Sequence, residues 1–229
     1  EKSIVLKNGI KEFSLKDEKI IAMDNVNLEI NTGKLYVIMG HSGSGKSTLI
    51  QILGLLDNLT QGELYINGQD VSNISEDEKA DIRQKEIGFV FQSFYLNPKL
   101  TAIENVMLPM YINKDIESSN RRRKALKLLT NFGLENRINH YPKELSGGEQ
   151  QRIAIARALA NDPSFILADE PTGNLDVNNE EIVYNTLREL ANSGKAVLVV
   201  SHNESIKKYA DKVLYLSLIH ISEPTRHWA

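Results

Sequence analysis

Two kinds of apolar segment recur along the chain. In Val26-Asn27-Leu28-Glu29-Ile30 apolar and polar residues alternate, and Leu64-Tyr65-Ile66 does the same before the turn residues Asn67-Gly68. Neighbouring side chains of a strand point to opposite faces, so both segments predict half-buried strands of an N-terminal antiparallel sheet. Leu35-Tyr36-Val37-Ile38-Met39, Phe165-Ile166-Leu167-Ala168 and Ala196-Val197-Leu198-Val199-Val200 are instead apolar without interruption. That is what parallel strands covered on both faces require, and it predicts an α/β core. From about Ser93 to Asn161 the pattern becomes helical, in Ala125-Leu126-Lys127-Leu128-Leu129 and again in Ile153 to Leu159. With no internal repeat and no low-complexity linker, this stretch predicts a helical subdomain inserted into one unit.

Chemistry enters directly after the run Leu35 to Met39. Gly40-His41-Ser42-Gly43-Ser44-Gly45-Lys46-Ser47 has the form G-x-x-x-x-G-K-S, between a strand and the helical run that Thr48 opens. The glycines let successive backbone N–H groups turn toward one anion, Lys46 can reach β- and γ-phosphates, and the Ser47 hydroxyl can ligate Mg²⁺. A helix beginning about Gly45 adds its positive dipole end. Farther on, Phe165-Ile166-Leu167-Ala168-Asp169-Glu170 is an apolar strand ending in two carboxylates. Asp169 fits a group holding Mg²⁺ through water, and Glu170 fits a general base for an attacking water. Taken alone, this pair fits a solvated strand end equally well.

Bulk properties narrow the classes. A chain of 229 residues can bury a sizeable core, and its net charge of −3 provides no overall field for nucleic acid. The basic run Arg121-Arg122-Arg123-Lys124 fits a solvated helix face. There are no cysteines, hence no disulfides or thiolate metal sites, which is compatible with a reducing cytosol. No apolar run approaches the roughly 20 residues of a membrane span, so spans for any membrane role must come from another chain. Glu1 is not an initiator Met, which points to residues trimmed from the start. Residues 217 to 229 break the pattern of the preceding Lys212 to Leu216 strand and resemble translated linker sequence, so they are set aside as a non-native tail.

Leu145-Ser146-Gly147-Gly148-Glu149-Gln150-Gln151-Arg152 resembles the signature motif of ATP-binding cassette (ABC) ATPases, and the resemblance extends from about Ile4 to Leu216. It implies a P-loop NTPase with a RecA-like parallel-sheet core, an N-terminal antiparallel β subdomain and the inserted helical subdomain. It also implies ATP and Mg²⁺ as ligands. Gln92, after Gly88-Phe89-Val90-Phe91, looks like the Q-loop glutamine that touches Mg²⁺ and water; Asn174-Leu175-Asp176 looks like the D-loop. His202 looks like the switch histidine that orients the γ-phosphate, and Phe13 stands where the family places an aromatic under adenine. Ser146, Gly147 and Gly148, preceding a helix that begins near Glu149, are expected to face the γ-phosphate of ATP held by a second copy. The family resemblance therefore implies a homodimer closed around two ATP.

Phe91 to Pro98, Thr101 to Val106 and Asp169 to Asp176 look most like the macrolide-exporter and lipoprotein-release branch. That branch implies an ATPase on the cytoplasmic face of the membrane, driving a separate transmembrane permease, with or without a periplasmic or extracellular adaptor. Nucleic acid is not among the partners it implies. A soluble ABC-type ATPase of DNA repair or translation is the alternative, but it needs a coiled-coil insertion or a second cassette. A GTPase would use Asn113-Lys114-Asp115 within N-K-x-D, which Ile116 breaks. A small-molecule kinase has no use for Leu145 to Arg152.

Overall fold

The computed structural model describes residues 2–40, 45–216 and 221–222. In chain order these form β1 (Ser3–Leu15), β2 (Glu18–Asn31), β3 (Leu35–Met39), α1 (Lys46–Leu53), β4 (Gln61–Ile66), β5 (Gln69–Asp70), α2 (Glu76–Glu86) and β6 (Ile87–Phe91). There follow α3 (Ala102–Met107), α4 (Ser118–Asn131), α5 (Gly147–Ala158), β7 (Phe165–Asp169), α6 (Val177–Asn192), β8 (Ala196–Ser201), β9 (Lys212–Leu216) and β10 (Ile221–Ser222).

The alternating segments lie in an antiparallel sheet of order β2-β1-β4-β5, and the uninterrupted ones lie in a second sheet of order β10-β9-β3-β8-β7-β6. All pairings from β9 to β6 are parallel. Both faces of this second sheet are covered, which explains its sequence. Tyr36, Ile38, Phe165, Leu167, Leu198 and Val200 pack with α1 and the antiparallel sheet. Their neighbours Val37, Ile166, Ala168, Val197 and Val199 pack with α5 and α6 on the other side. Each Val, Leu, Ile or Phe among these contributes about 1.5–3 kcal/mol when taken from water, which disfavours a polar residue in either register.

The helical subdomain has its own core, in which Ile103 and Val106 of α3 meet Ala125 and Leu129 of α4 and Ile153 and Ala156 of α5. Ile155 and Leu159 of α5 belong instead to the core beneath the parallel sheet. The 3.6-residue period thus gives α5 two apolar faces, and it joins the insertion to the sheet.

Three details depart from the sequence expectation. Helix α5 starts at Gly147 rather than near Glu149, because Ser146 is its N-cap. The Ser146 hydroxyl accepts the Glu149 N–H and the Glu149 carboxylate accepts the Ser146 N–H, a reciprocal capping box that draws both glycines into the first turn. In the basic run, Arg122, Arg123 and Lys124 are exposed on α4, but the Arg121 guanidinium lies 4.5 Å from the centre of the Tyr111 ring. Of the stretch set aside as a tail, the described pair Ile221 and Ser222 forms an antiparallel rung against Leu216 and Tyr215.

Candidate functional site

The parallel strands deliver their chemistry at one edge, because all end in the same direction. Met39 leads into the glycine-rich segment, Asp169 closes β7, Ser201 closes β8 and Phe91 closes β6. Residues at the carboxyl ends of adjacent parallel strands converge, which is where open α/β sheets bind ligands. Of the predicted cradle, Gly40 follows β3 and Gly45 to Thr48 open α1, whereas His41, Ser42, Gly43 and Ser44 lie outside the described residues.

Gly45 is the N-cap of α1 at φ +90°, a left-handed conformation, and a Cβ there would stand 2.4 Å from the Ala22 carbonyl oxygen of β2. Only glycine fits, on both counts. The contact also sets the β1–β2 hairpin against the cradle. Phe13 belongs to that hairpin, paired with Ile20, with its ring 40% exposed and the Lys11 ammonium 5.1 Å from its centre. An exposed aromatic face on an arm touching the cradle is available for stacking.

Lys46, Ser47, Asp169, Glu170, Ser201 and His202 form one hydrogen-bonded cluster. Lys46 Nζ donates to Glu170 Oε1 at 3.1 Å, and Ser47 Oγ donates to Asp169 Oδ2 at 3.0 Å. Glu170 Oε1 also accepts the His202 backbone N–H at 3.0 Å and lies 2.6 Å from His202 Nδ1, while Oε2 accepts from Ser201 Oγ at 3.1 Å. An ionised carboxylate only accepts, so Nδ1 carries the hydrogen of this contact. Glu170 sits at φ +46°, and its N–H donates to the Val200 carbonyl. A left-handed non-glycine residue costs about 1–2 kcal/mol, a strain offset here by the bonds that fix the carboxylate.

The two carboxylates have opposite electrostatics. Burial pushes Asp169 above the ordinary aspartate range, against the lowering effect of Ser47, and the neighbouring Glu170 charge adds to the rise. Burial also acts to raise Glu170, but the hydrogen bonds from His202 and Lys46 and their nearby charge outweigh it and hold Glu170 below the ordinary glutamate range. Burial thus dominates at half-buried Asp169, whereas the partners of Glu170 outweigh it. Ser47 Oγ and the Asp169 carboxylate are hard oxygen donors 3.0 Å apart, of the type that would suit Mg²⁺.

The other predicted residues sit around this cluster. Gln92 turns to the loop before α6: its Nε2 donates to Asn174 Oδ1 at 3.2 Å and its carbonyl accepts from Asn174 Nδ2 at 3.1 Å. The Asp176 carboxylate caps α6 by accepting from the Asn179 N–H at 2.9 Å and from its side-chain amide, and these bonds lower its pKa. At the signature, Glu149 is held by Arg137 at 2.9 Å, and a Cβ on Gly148 would strike Asn179 Oδ1 at 2.0 Å. The N–H groups of Gly147 and Gly148 lie in the first turn of α5, where no intrahelical acceptor is available to them. Ser201 and Asn174 were not among the predicted site residues. Each stands inside or beside a quoted motif, and only the long-range fold shows what its side chain holds. Asn113, the candidate guanine reader, is buried and bonded to Asn161 and to the Asp115 N–H.

A parallel sheet whose strand ends bring Lys46 and Ser47 of the G-x-x-x-x-G-K-S segment to a strand-terminal acid pair and a histidine defines a P-loop NTPase. Within that class the comparisons are specific. The pattern describing the ABC transporter family matches residues 23–173. The ABC transporter ATP-binding protein MJ1508 of Methanocaldococcus jannaschii is 49% identical over 213 residues, which are 93% of this chain and 95% of that protein. The macrolide export ATP-binding/permease protein MacB of Pasteurella multocida is 44% identical over 211 residues, 92% of this chain but 32% of MacB. A dimeric structure of the ATP-binding cassette MJ0796, in a post-hydrolysis state bound to ADP and Pi, superposes with a TM-score of 0.87 at 43% identity, covering 96% of this chain and 98% of that one. The chain belongs to the ABC transporter family and is one of its ATP-binding, ATP-hydrolysing cassettes. Among the described residues, no helix is long and apolar enough to cross a membrane.

Proposed function

We propose that the chain works as a homodimer closed around two ATP molecules, driving a separate membrane permease of the macrolide-export and lipoprotein-release kind from the cytoplasmic face. The observation that carries this reading is that the cluster around Glu170 and the N-terminus of α5 are hydrogen-bonded each within itself. The cradle cluster is linked from Lys46 to His202, whereas Ser146 is occupied with Glu149 of its own helix. Among the described residues the first turn of α5 makes no hydrogen bond to Lys46, Ser47, Asp169, Glu170 or His202, which supports a phosphate brought to it by a second copy. The dimeric MJ0796 structures support the same arrangement. The likeness to the macrolide export ATP-binding/permease protein MacB supports a permease partner, and the cargo class proposed for it extends over macrolides, antimicrobial peptides and lipoproteins.

In this reading Lys46 leaves Glu170 for the β- and γ-phosphates when ATP enters, and the cradle N–H groups hold the remaining phosphate oxygens. Glu170, freed of its ammonium partner, becomes basic enough to accept the proton of the attacking water. His202 turns Nε2 toward the γ-phosphate, and Phe13 stacks on adenine. Ser47, Asp169 and Gln92 are the residues that would hold Mg²⁺, which when bound neutralises charge on the phosphate oxygens. Soluble repair or translation ATPases are the second reading, and no observation favours them.

Complementation tests the proposal. Lys46→Ala and Ser146→Arg should each inactivate the homodimer, one by losing the phosphate lysine and the other by blocking the signature. A mixed dimer contains one intact cradle facing one intact signature, so mixing two inactive preparations should restore ATP hydrolysis. Activity of either variant alone, or no recovery although mixed dimers form, would remove the shared-site reading.

A further inference from the structure

One buried polar side chain has no part in the chemistry above. Gln151 lies in the middle of α5 with 0% of its surface exposed. Its Nε2 donates to two backbone carbonyls, Phe91 at 2.9 Å and Pro171 at 2.5 Å. Phe91 is the last residue of the edge strand β6 and immediately precedes Gln92. Pro171 immediately follows Glu170 and brings no N–H of its own. Among the described residues Gln151 Oε1 has no hydrogen-bond partner. An amide buried with its oxygen unpaired is held there by what its nitrogen does.

We infer that Gln151 is a positioning residue that ties the signature helix of a chain to the two loops carrying that chain's own Gln92 and Glu170. The inference rests on the function proposed above, because only then does the N-terminus of α5 serve the partner's nucleotide while Gln92 and Glu170 serve the chain's own. Two features make the tie stiff. A Cβ on Gly88 would lie 2.4 Å from the Ala158 carbonyl, so α5 and β6 meet backbone to backbone with no yielding side chain between them. Phe91 stands beside Asp169 in the sheet, and beyond the strand ends the same two segments are bonded again through Gln92 and Asn174. Gln151 is the inner fastening of this pair of loops, and it is anchored on α5. A displacement of α5 by a ligand at Ser146 must stretch both of its bonds or carry Phe91 and Pro171 along. The side chain therefore joins the half-site a chain lends to its partner with the half-site it keeps.

Gln151→Met keeps the length of the side chain and removes the donor. Steady-state ATP hydrolysis is measured well below the unfolding temperature and normalised to ATP-binding stoichiometry, so that a loss of folded protein cancels. The expected result is a fall in kcat on the order of 10- to 100-fold, as for a small misplacement of catalytic groups by a distant change, with KM and the ATP dissociation constant within about twofold of wild type. Hydrogen exchange should quicken together in residues 91–93 and 170–174. If Gln151→Met does not fold, Gln151→Asn, too short to reach both carbonyls, serves for the same measurements. A kcat per nucleotide-binding site within about twofold of wild type, or a kcat loss matched by an equal loss of ATP affinity, overturns the inference. Failure of the unsubstituted chain to hydrolyse ATP would instead strike the proposed function, and this inference with it.

Discussion

Glu170→Gln removes one charge and leaves the shape of the cluster nearly intact. The amide oxygen can take the place of Oε1, where Lys46 Nζ and the backbone N–H and Nδ1 of His202 converge, and the amide nitrogen can face Ser201 Oγ, a hydroxyl able to accept. What is lost is the charge assistance of the Lys46 bond, in a pair whose side chains are 9% and 14% exposed. The Lys46 ammonium keeps its charge and still donates to the amide oxygen, so the loss is the ion-pair share of the bond, roughly 1–2 kcal/mol. Repulsion between Asp169 and Glu170 is relieved at the same time, which brings the net figure to about 1 kcal/mol, or 2–4 °C in Tm for a chain of this size.

The nucleotide-free variant should therefore melt slightly below wild type. Because Glu170 is held below its ordinary range, the pair's contribution is present above ordinary carboxylate pH. It fades as pH falls through the lowered value, so the gap between variant and wild type should close in acid. With ATP the order reverses. Turnover should fall by roughly 10²–10⁴ with the base gone, and ATP at about 100 times its Kd then stabilises the variant by roughly 2.7 kcal/mol. Scanning fluorimetry reads both effects, phosphate release reads turnover, and gel filtration reads the ATP-bound dimer. Hydrolysis at the wild-type rate would remove Glu170 from its role. An unchanged nucleotide-free Tm would show that the Lys46 pair adds nothing to the fold.

Asp169→Asn should raise the nucleotide-free Tm near neutral pH while abolishing hydrolysis. A carboxyl whose pKa is raised by burial opposes folding once ionised, and this penalty is relieved only as pH falls, so a lower Tm at neutral pH would contradict the burial argument. Phe13→Ala should raise the KM for ATP with kcat little changed, and GTP should remain a substrate because stacking does not read base edges; strict adenine selectivity would reveal an unrecognised hydrogen bond. Removing residues 217 to 229 should leave ATPase activity within a factor of about two. Loss of folding on that truncation would make the Ile221–Ser222 rung an integral part of the sheet.

The parallel core was legible because burial on both faces leaves no polar residue in Leu35 to Met39 or Ala196 to Val200. The first strand was not. β1 carries Asn8 at φ +52° and register shifts on both sides of Gly9, which break the alternation a strand would show. Helix α2 has no apolar stripe at all: within Glu76 to Glu86 a single residue, Lys79, is buried, and the helix is marked chiefly by its Ser75 cap. At the site, Lys46, Ser47, Asp169, Glu170 and His202 could be picked out by position in sequence, and they meet in space. That Gln92 would turn to Asn174, or that Asp176 would cap α6, could not be read. Both depend on which loops the sheet order brings together, and no local pattern encodes that.

The capping box at Ser146 bears on how two copies meet. The Ser146 hydroxyl and the Glu149 carboxylate lock the first turn of α5 from within, and Arg137 steadies Glu149 from outside. The donor turn that would receive a neighbour's phosphate is thus already shaped in the lone subunit, its ordering entropy met when the chain folds. Association then resembles a key meeting a cut lock, with little side-chain freedom left to surrender on contact. Encounter should be limited by diffusion and orientation, and the lifetime of the closed pair should be set by the nucleotide between the subunits.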